Sequence, residues 1–173
     1  MPVSSISSQL AGIRVAGTIA FFVVTGLTVP AAAMTTPRNA APHPGDSAAV
    51  IAAVTGFHTA LESGDSAKAM SLLAADAIIL ESGDVESRAE YRSHHLSSDM
   101  KFAQAIRGTW SMLRVTVNGD VAWVSSSNKM KGEISGRPID SVGAELMVLI
   151  RTKAGWKISA IHWSSHNQRP LAK

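Results

Sequence analysis

Glu145 and His162 are the two residues near the end of this chain whose types and spacing suggest chemistry. They fall on the arms of a hairpin predicted from Pro138 to Thr152 and from Gly155 to His166, turning at Lys153-Ala154-Gly155. If Thr152 pairs with Gly155, Glu145 lies across from His162, Met147 across from Ala160 and Leu149 across from Ile158. A slip of two residues leaves Glu145 diagonal to His162 on the same face. A carboxylate beside an imidazole can serve as a general base with its orienting partner, or grip a polar ligand. It can equally be a buried pair that satisfies only itself. On this register Glu145, Met147, Leu149, Ile158, His162 and Ser164 share one side. Val142, Ala144, Leu146, Val148, Ile150, Ile161 and Trp163 take the other. Both sides are substantially apolar, so one is expected to cover helices and the other to meet a second subunit.

A second group lies mid-chain. Tyr91, His95, Asp99 and Phe102 form one stripe of a predicted helix, with His95 inward, His94 more exposed and a His95–Asp99 hydrogen bond within reach. Tyr91 is a candidate donor to a developing oxyanion, and His95, Asp99 and Glu81 are candidate ligand-binding groups. Trp110, Trp123 and Trp156 are candidate walls for a flat or apolar ligand, or ordinary core packing. The Asn118-Gly119 turn would put Trp110 and Trp123 on one face with Arg114 across from Trp123. His95, His162 and a carboxylate (Glu81, Asp99 or Glu145) lack the close spacing of a metal motif, so no metal is expected, and no cofactor either. His58 reads as a partly buried packing residue beside the first helix's apolar stripe.

The elements that would position these groups can be read in order. Asp46 or Ser47 can cap a helix whose stripe is Val50, Val54, Phe57 and Leu61, ended by Gly64. Asp65 can cap a second helix through Ala67, Met70, Leu72 and Leu73. Ala77 to Leu80 is a strand ending in a turn at 81–84, and a third helix starts near Ser87. After Arg107 the period changes from helical to two. Strands follow at Trp110 to Val117 and Asp120 to Ser127, then the last hairpin. The result is an α+β domain: three helices and one early strand, then a four-strand antiparallel meander, with the helices packed on one face of a curved sheet.

Around that domain, 46–168, the ends read differently. The apolar run Leu10–Val29, uninterrupted from Val15 and preceded there by Arg14, with Pro30 after it and Ala31-Ala32-Ala33 closing it, predicts an export signal cut after Ala33 and a periplasmic or secreted protein. An uncleaved anchor helix is the alternative; after cleavage no stable membrane association is expected. Residues 34–45 form a proline-bearing linker and 169–173 a tail. The chain has no cysteine, which excludes disulfides and thiol catalysis. Its formal charge is +3; the positive residues are scattered, so nucleic-acid binding is not expected.

Two stretches resemble a known family. Ala60-Leu61-Glu62-Ser63-Gly64-Asp65 with Ala69-Met70-Ser71-Leu72-Leu73 and Asp76 is similar to the opening of nuclear transport factor 2-like proteins. Gly155-Trp156-Lys157-Ile158 followed by His162-Trp163-Ser164 is similar to their ending, and the SnoaL-like exported branch fits best. The resemblance implies a cone: a bent sheet wrapped on helices, a pocket open at one end, and pairing through the outer sheet face. The family includes isomerases, dehydratases, cyclases and members that only bind ligands or partners, and this chain's own residues support three functions. The tryptophans and the single Glu–His pair suit an exported small-molecule-binding protein. Glu145 next to His162, with Tyr91 as a donor, suits a cofactor-independent isomerase, dehydratase or cyclase. The apolar outer face suits an interaction domain of a larger envelope assembly.

Overall fold

Val50, Val54, Phe57 and Leu61 form the buried stripe of helix α1 (Asp46–Ser63) in the computed structural model, which describes residues 44–168. The expected leader, most of the linker and the tail lie outside the described residues. Helix α1 does not use an Asp46 or Ser47 cap. Gly45 holds the cap position at φ 93°, and Asp46, the first helical residue, instead accepts a hydrogen bond from Arg151 Nη2 at 2.5 Å. Gly64 ends α1 in the left-handed region. The Asp65 side chain accepts from the Lys68 amide at 2.9 Å and caps α2 (Ser66–Leu72).

The chain continues as β1 (Leu73–Glu81), β2 (Asp84–Ser87), α3 (Arg88–His94), α4 (Leu96–Ala105), β3 (Ile106–Asn118), β4 (Val121–Ile134), β5 (Arg137–Thr152) and β6 (Gly155–Asn167). Two of these elements depart from expectation. Strand β2 forms where only a turn was predicted, because Ser82 and Gly83 both sit at positive φ and reverse the chain tightly. The expected third helix is two helices, α3 and α4, broken at His95. Helix α3 starts with a reciprocal Ser87–Glu90 capping box.

The six strands run in the order β2-β1-β6-β5-β4-β3. Strands β3 to β6 are the predicted antiparallel meander, and β1 adds parallel to β6, so the curved, open sheet is mixed. The fold class is α+β. The core joins α1 to the inner sheet face, with Phe57, Val124, Met147, Leu149, Ile158 and Ile161 fully buried.

Two bulges decide which side chains face inward. In β6, Leu149 pairs with Ile158, but the next pair is Val148 with Ala160, leaving Ser159 extra. From there every residue is displaced by one: Glu145 pairs with Trp163, and His162 pairs with Leu146. In β3, Met112 pairs with Ser126 and Arg114 with Ser125, leaving Leu113 extra. The first hairpin also turns at Gly119-Asp120, so Trp123 lies across from Thr116 and not from Arg114. Trp110 pairs with Asn128 on the inner face, whereas Trp123 stands outside.

Candidate functional site

The β6 bulge overturns the expected pairing of Glu145 with His162. Glu145 points inward beside Met147 and Leu149, whereas His162 is exposed on the opposite face beside Leu146. The imidazole that meets Glu145 comes from α1. His58 follows Val54 by four residues and precedes Leu61 by three, which turns it toward the sheet. Its Nε2 lies 2.8 Å from Glu145 Oε2. Trp163 Nε1 donates to the same oxygen at 2.7 Å, and Ser126 Oγ donates to Oε1 at 3.0 Å. The Glu145 side chain is fully buried, so the three donors replace the water it loses.

This arrangement fixes the histidine. A carboxylate oxygen only accepts, so Nε2 carries a proton, and in the neutral ring the lone pair lies on Nδ1. The ring is also clamped by stacking on Trp110, with centroids 4.0 Å apart and planes 19° from parallel. The side chain keeps 13 % exposure, all that is needed to present one edge.

That edge belongs to a cavity of about 500 Å³. His58 and Leu61 of α1, Asp99, Phe102 and Ala103 of α4, and Glu81 at the end of β1 contribute to its wall. Trp110, Asn128, Met130 and Trp163 complete the sheet side. Glu145 is not in the wall; it supports His58 and Trp163 from behind. Gly143 makes room for Asn128: a Cβ there would sit 2.8 Å from Asn128 Oδ1 and 3.0 Å from the Ser164 carbonyl oxygen.

At another part of the wall Asp99 accepts a hydrogen bond from the Tyr91 hydroxyl at 2.8 Å. The helix break at His95 separates the residues carrying these two groups. Burial pushes the Asp99 carboxyl up to about 6 despite the opposing Tyr91 hydrogen bond. Glu81 is shifted upward too, first by loss of solvent. The Tyr91 phenol is held well above its ordinary range by burial and by the Asp99 charge, so it remains a donor. Trp163 links the two groups, its ring centroid 6.4 Å from that of Tyr91.

The remaining expected site residues are elsewhere. The His95 side chain does not bond that of Asp99, although its carbonyl accepts from the Asp99 amide at 3.0 Å, and it does not line the main cavity. It is exposed and bonds Glu86 Oε2 through Nδ1 at 2.5 Å, which raises its pKa. Trp123 is outside the sheet. Trp156 is buried in the core at the hairpin end, under the Arg151 guanidinium at 4.5 Å. His162 and His95 therefore do not join a carboxylate in one place, and among the described residues no three metal-binding side chains converge. Sequence reading missed His58, Trp163, Ser126 and Asn128 as site residues.

Residues 50–168 match the model of the SnoaL-like domain. The chain belongs to the SnoaL-like family. This SnoaL-like domain is similar to the crystal structure of a candidate ketosteroid isomerase from Shewanella frigidimarina NCIMB 400, with 38% identity over 69% of this chain and 98% of that chain, at a TM-score of 0.66. Two more distant neighbours share the fold alone. One is a candidate dehydratase of the nuclear transport factor 2-like family from Streptomyces avermitilis (22% identity, 73% of this chain, 99% of that chain, TM-score 0.58). The other is a CaMKII hub from S. rosetta (19% identity, 73% of this chain, 100% of that chain, TM-score 0.62). No functionally curated protein matches the SnoaL-like chain.

Proposed function

We propose that this SnoaL-like protein binds a small, largely apolar molecule in the cavity between α1, α4 and the inner sheet face. One observation carries the reading: a buried carboxylate, also bonded by Ser126, holds His58 and Trp163, and both of these line a cavity of about 500 Å³. That volume is in the range of small-molecule sites, and its aromatic and aliphatic walls suit a flat ligand. Trp110 and Trp163 make binding visible by fluorescence. Aromatic and polycyclic compounds are expected to quench that fluorescence and raise the melting temperature. His58→Gln should weaken the response of any hit about tenfold or more. Unchanged melting and fluorescence across a broad library would contradict the reading.

A second reading rests on Asp99. A carboxyl titrating at about 6, lining a cavity and bonded to a tyrosine hydroxyl, suits proton transfer next to a carbonyl. In that reading Asp99 takes a proton from the carbon beside the carbonyl and returns it farther along the conjugated chain, the kind of reaction named for the Shewanella relative. Conversion of a β,γ-unsaturated ketosteroid to its α,β-unsaturated isomer, lost in Asp99→Asn with binding retained, would establish it. No turnover in the wild type would remove that substrate class.

We also propose a homodimer formed through the outer sheet face. Ile78, Ala160, Val148 and Trp123 lie in register across four adjacent strands there, and Ile78, Trp123 and Leu146 are each at least 36 % exposed. A native mass spectrum tests this, and a monomer at all concentrations would contradict it. Residues 1–33 retain the reading of a cleaved export signal. Recovery of a secreted chain beginning at Met34 would support it, and a cell-retained chain starting at Met1 would not.

A further inference from the structure

Resting on the binding reading above, we propose that the ligand is an organic cation, a protonated amine carried on a compact apolar body, and not a carboxylate or phosphate. Trp163 Nε1, Ser126 Oγ and His58 Nε2 all donate away from the cavity, to Glu145. The Tyr91 hydroxyl is likewise committed to Asp99. What the wall offers in their place is a set of acceptors: the Nδ1 lone pair that the His58 ring carries when neutral, the remaining carboxylate capacity of Asp99, and Glu81. Trp110 brings a neutral indole N–H donor to the wall, and serine hydroxyls and the Asn128 amide, also neutral, can serve either way.

Charge points in the same direction. Glu62, Glu81 and Asp99 line the cavity, and among the described residues no lysine or arginine does. An anionic ligand would lose its water and gain no opposite charge. A cation would find carboxyl groups together with Trp110, Trp163 and Phe102, whose ring faces attract positive charge. Burial is the largest cause of the upward displacement of the Asp99 and Glu81 carboxyls and outweighs the opposing His95 charge, so an ammonium group in the cavity would favour their ionised forms. A neutral alcohol can also donate to these acceptors, so the experiment must separate charge from hydrogen bonding.

Three probes of one shape do so: naphthylmethylamine, naphthalenemethanol and naphthoate, titrated calorimetrically into the protein at about pH 8 with tryptophan fluorescence as a second readout. The amine is expected to bind about tenfold tighter than the alcohol, and naphthoate to bind weakest. Raising the salt concentration should weaken the amine and leave the alcohol unchanged. Asp99→Asn should bring the amine to within about threefold of the alcohol without altering alcohol binding. Glu81→Gln, at a more open position, gives a second reading of the same loss. Amine and alcohol binding equally well, or naphthoate binding as tightly as the amine, would overturn the cation proposal and leave the pocket reading standing. Binding of none of the three would overturn both.

Discussion

Glu145 and Asp99 are both carboxyl groups removed from bulk water, yet the protein treats them differently. Glu145 receives three donors from three elements, His58 of α1, Ser126 of β4 and Trp163 of β6, and has no exposure to the cavity. Asp99 receives one side-chain donor, Tyr91, and lines the cavity with its acidity weakened by burial. Donors on both oxygens turn this buried acid into a structural post. An incomplete set of donors leaves an acid that a ligand or a proton can still satisfy. The comparison separates holding from acting: Glu145 positions His58, and Asp99 meets whatever enters.

The largest effect should come from breaking the post. Glu145→Ala leaves one buried donor and two partly buried ones without their acceptor and is expected to lower unfolding free energy by about 2–4 kcal/mol, read by urea denaturation. A loss below about 1 kcal/mol would mean that these hydrogen bonds are not a stabilising unit. Next is His58→Gln, which should cost about tenfold or more in ligand affinity while lowering stability by no more than about 2 kcal/mol. Equal losses in both measurements would make His58 a packing residue only.

Asp99 should behave in the opposite sense to Glu145. Its folded carboxyl titrates at about 6, above its ordinary 3.8. Between those values the folded chain holds more protons than the unfolded one, so this group's contribution to stability falls as pH rises through that window. Asp99→Asn still accepts from Tyr91 but cannot ionise. It is expected to raise the melting temperature by a few degrees at about pH 8, with the gain vanishing toward about pH 4. A gain that does not depend on pH would contradict the assignment. The smallest effect belongs to His162→Ala: on the outer face, it should leave ligand affinity unchanged and protomer stability within about 0.5 kcal/mol.

Much of the fold was legible. The α1 stripe, the Gly64 stop, the Asp65 cap and the four-strand meander follow from periodicities of 3.6 and 2 that the tertiary structure does not contest. The site was legible only in part, because a single bulged residue reverses every later side chain. A sign of it was present in β6. Trp156 and Ile158 form one apolar pair, Ile161 and Trp163 another, and the two are out of phase by one residue. Both pairs can face inward only if a residue between them bulges, and Ser159 does. Taken as regular, the strand seemed apolar on both sides, which overstated the outer face and sent His162 inward. His58 was hidden differently. It stood on the apolar side of α1, but its partner lies 87 residues away, and helical periodicity carries no information about that contact. The break at His95 similarly replaced a His95–Asp99 contact along one helix with a Tyr91–Asp99 contact between two.

Glu145 holds His58 Nε2 from behind the wall, which leaves Nδ1 as the ring nitrogen expected to meet a ligand. Proton–nitrogen correlation spectra of the His58 ring at about pH 8 test this directly. The expected result is a hydrogen on Nε2, a bare Nδ1, and an Nδ1 resonance that moves when an amine probe is added. A ring protonated on Nδ1, or one whose Nδ1 signal ignores every bound ligand, would contradict it.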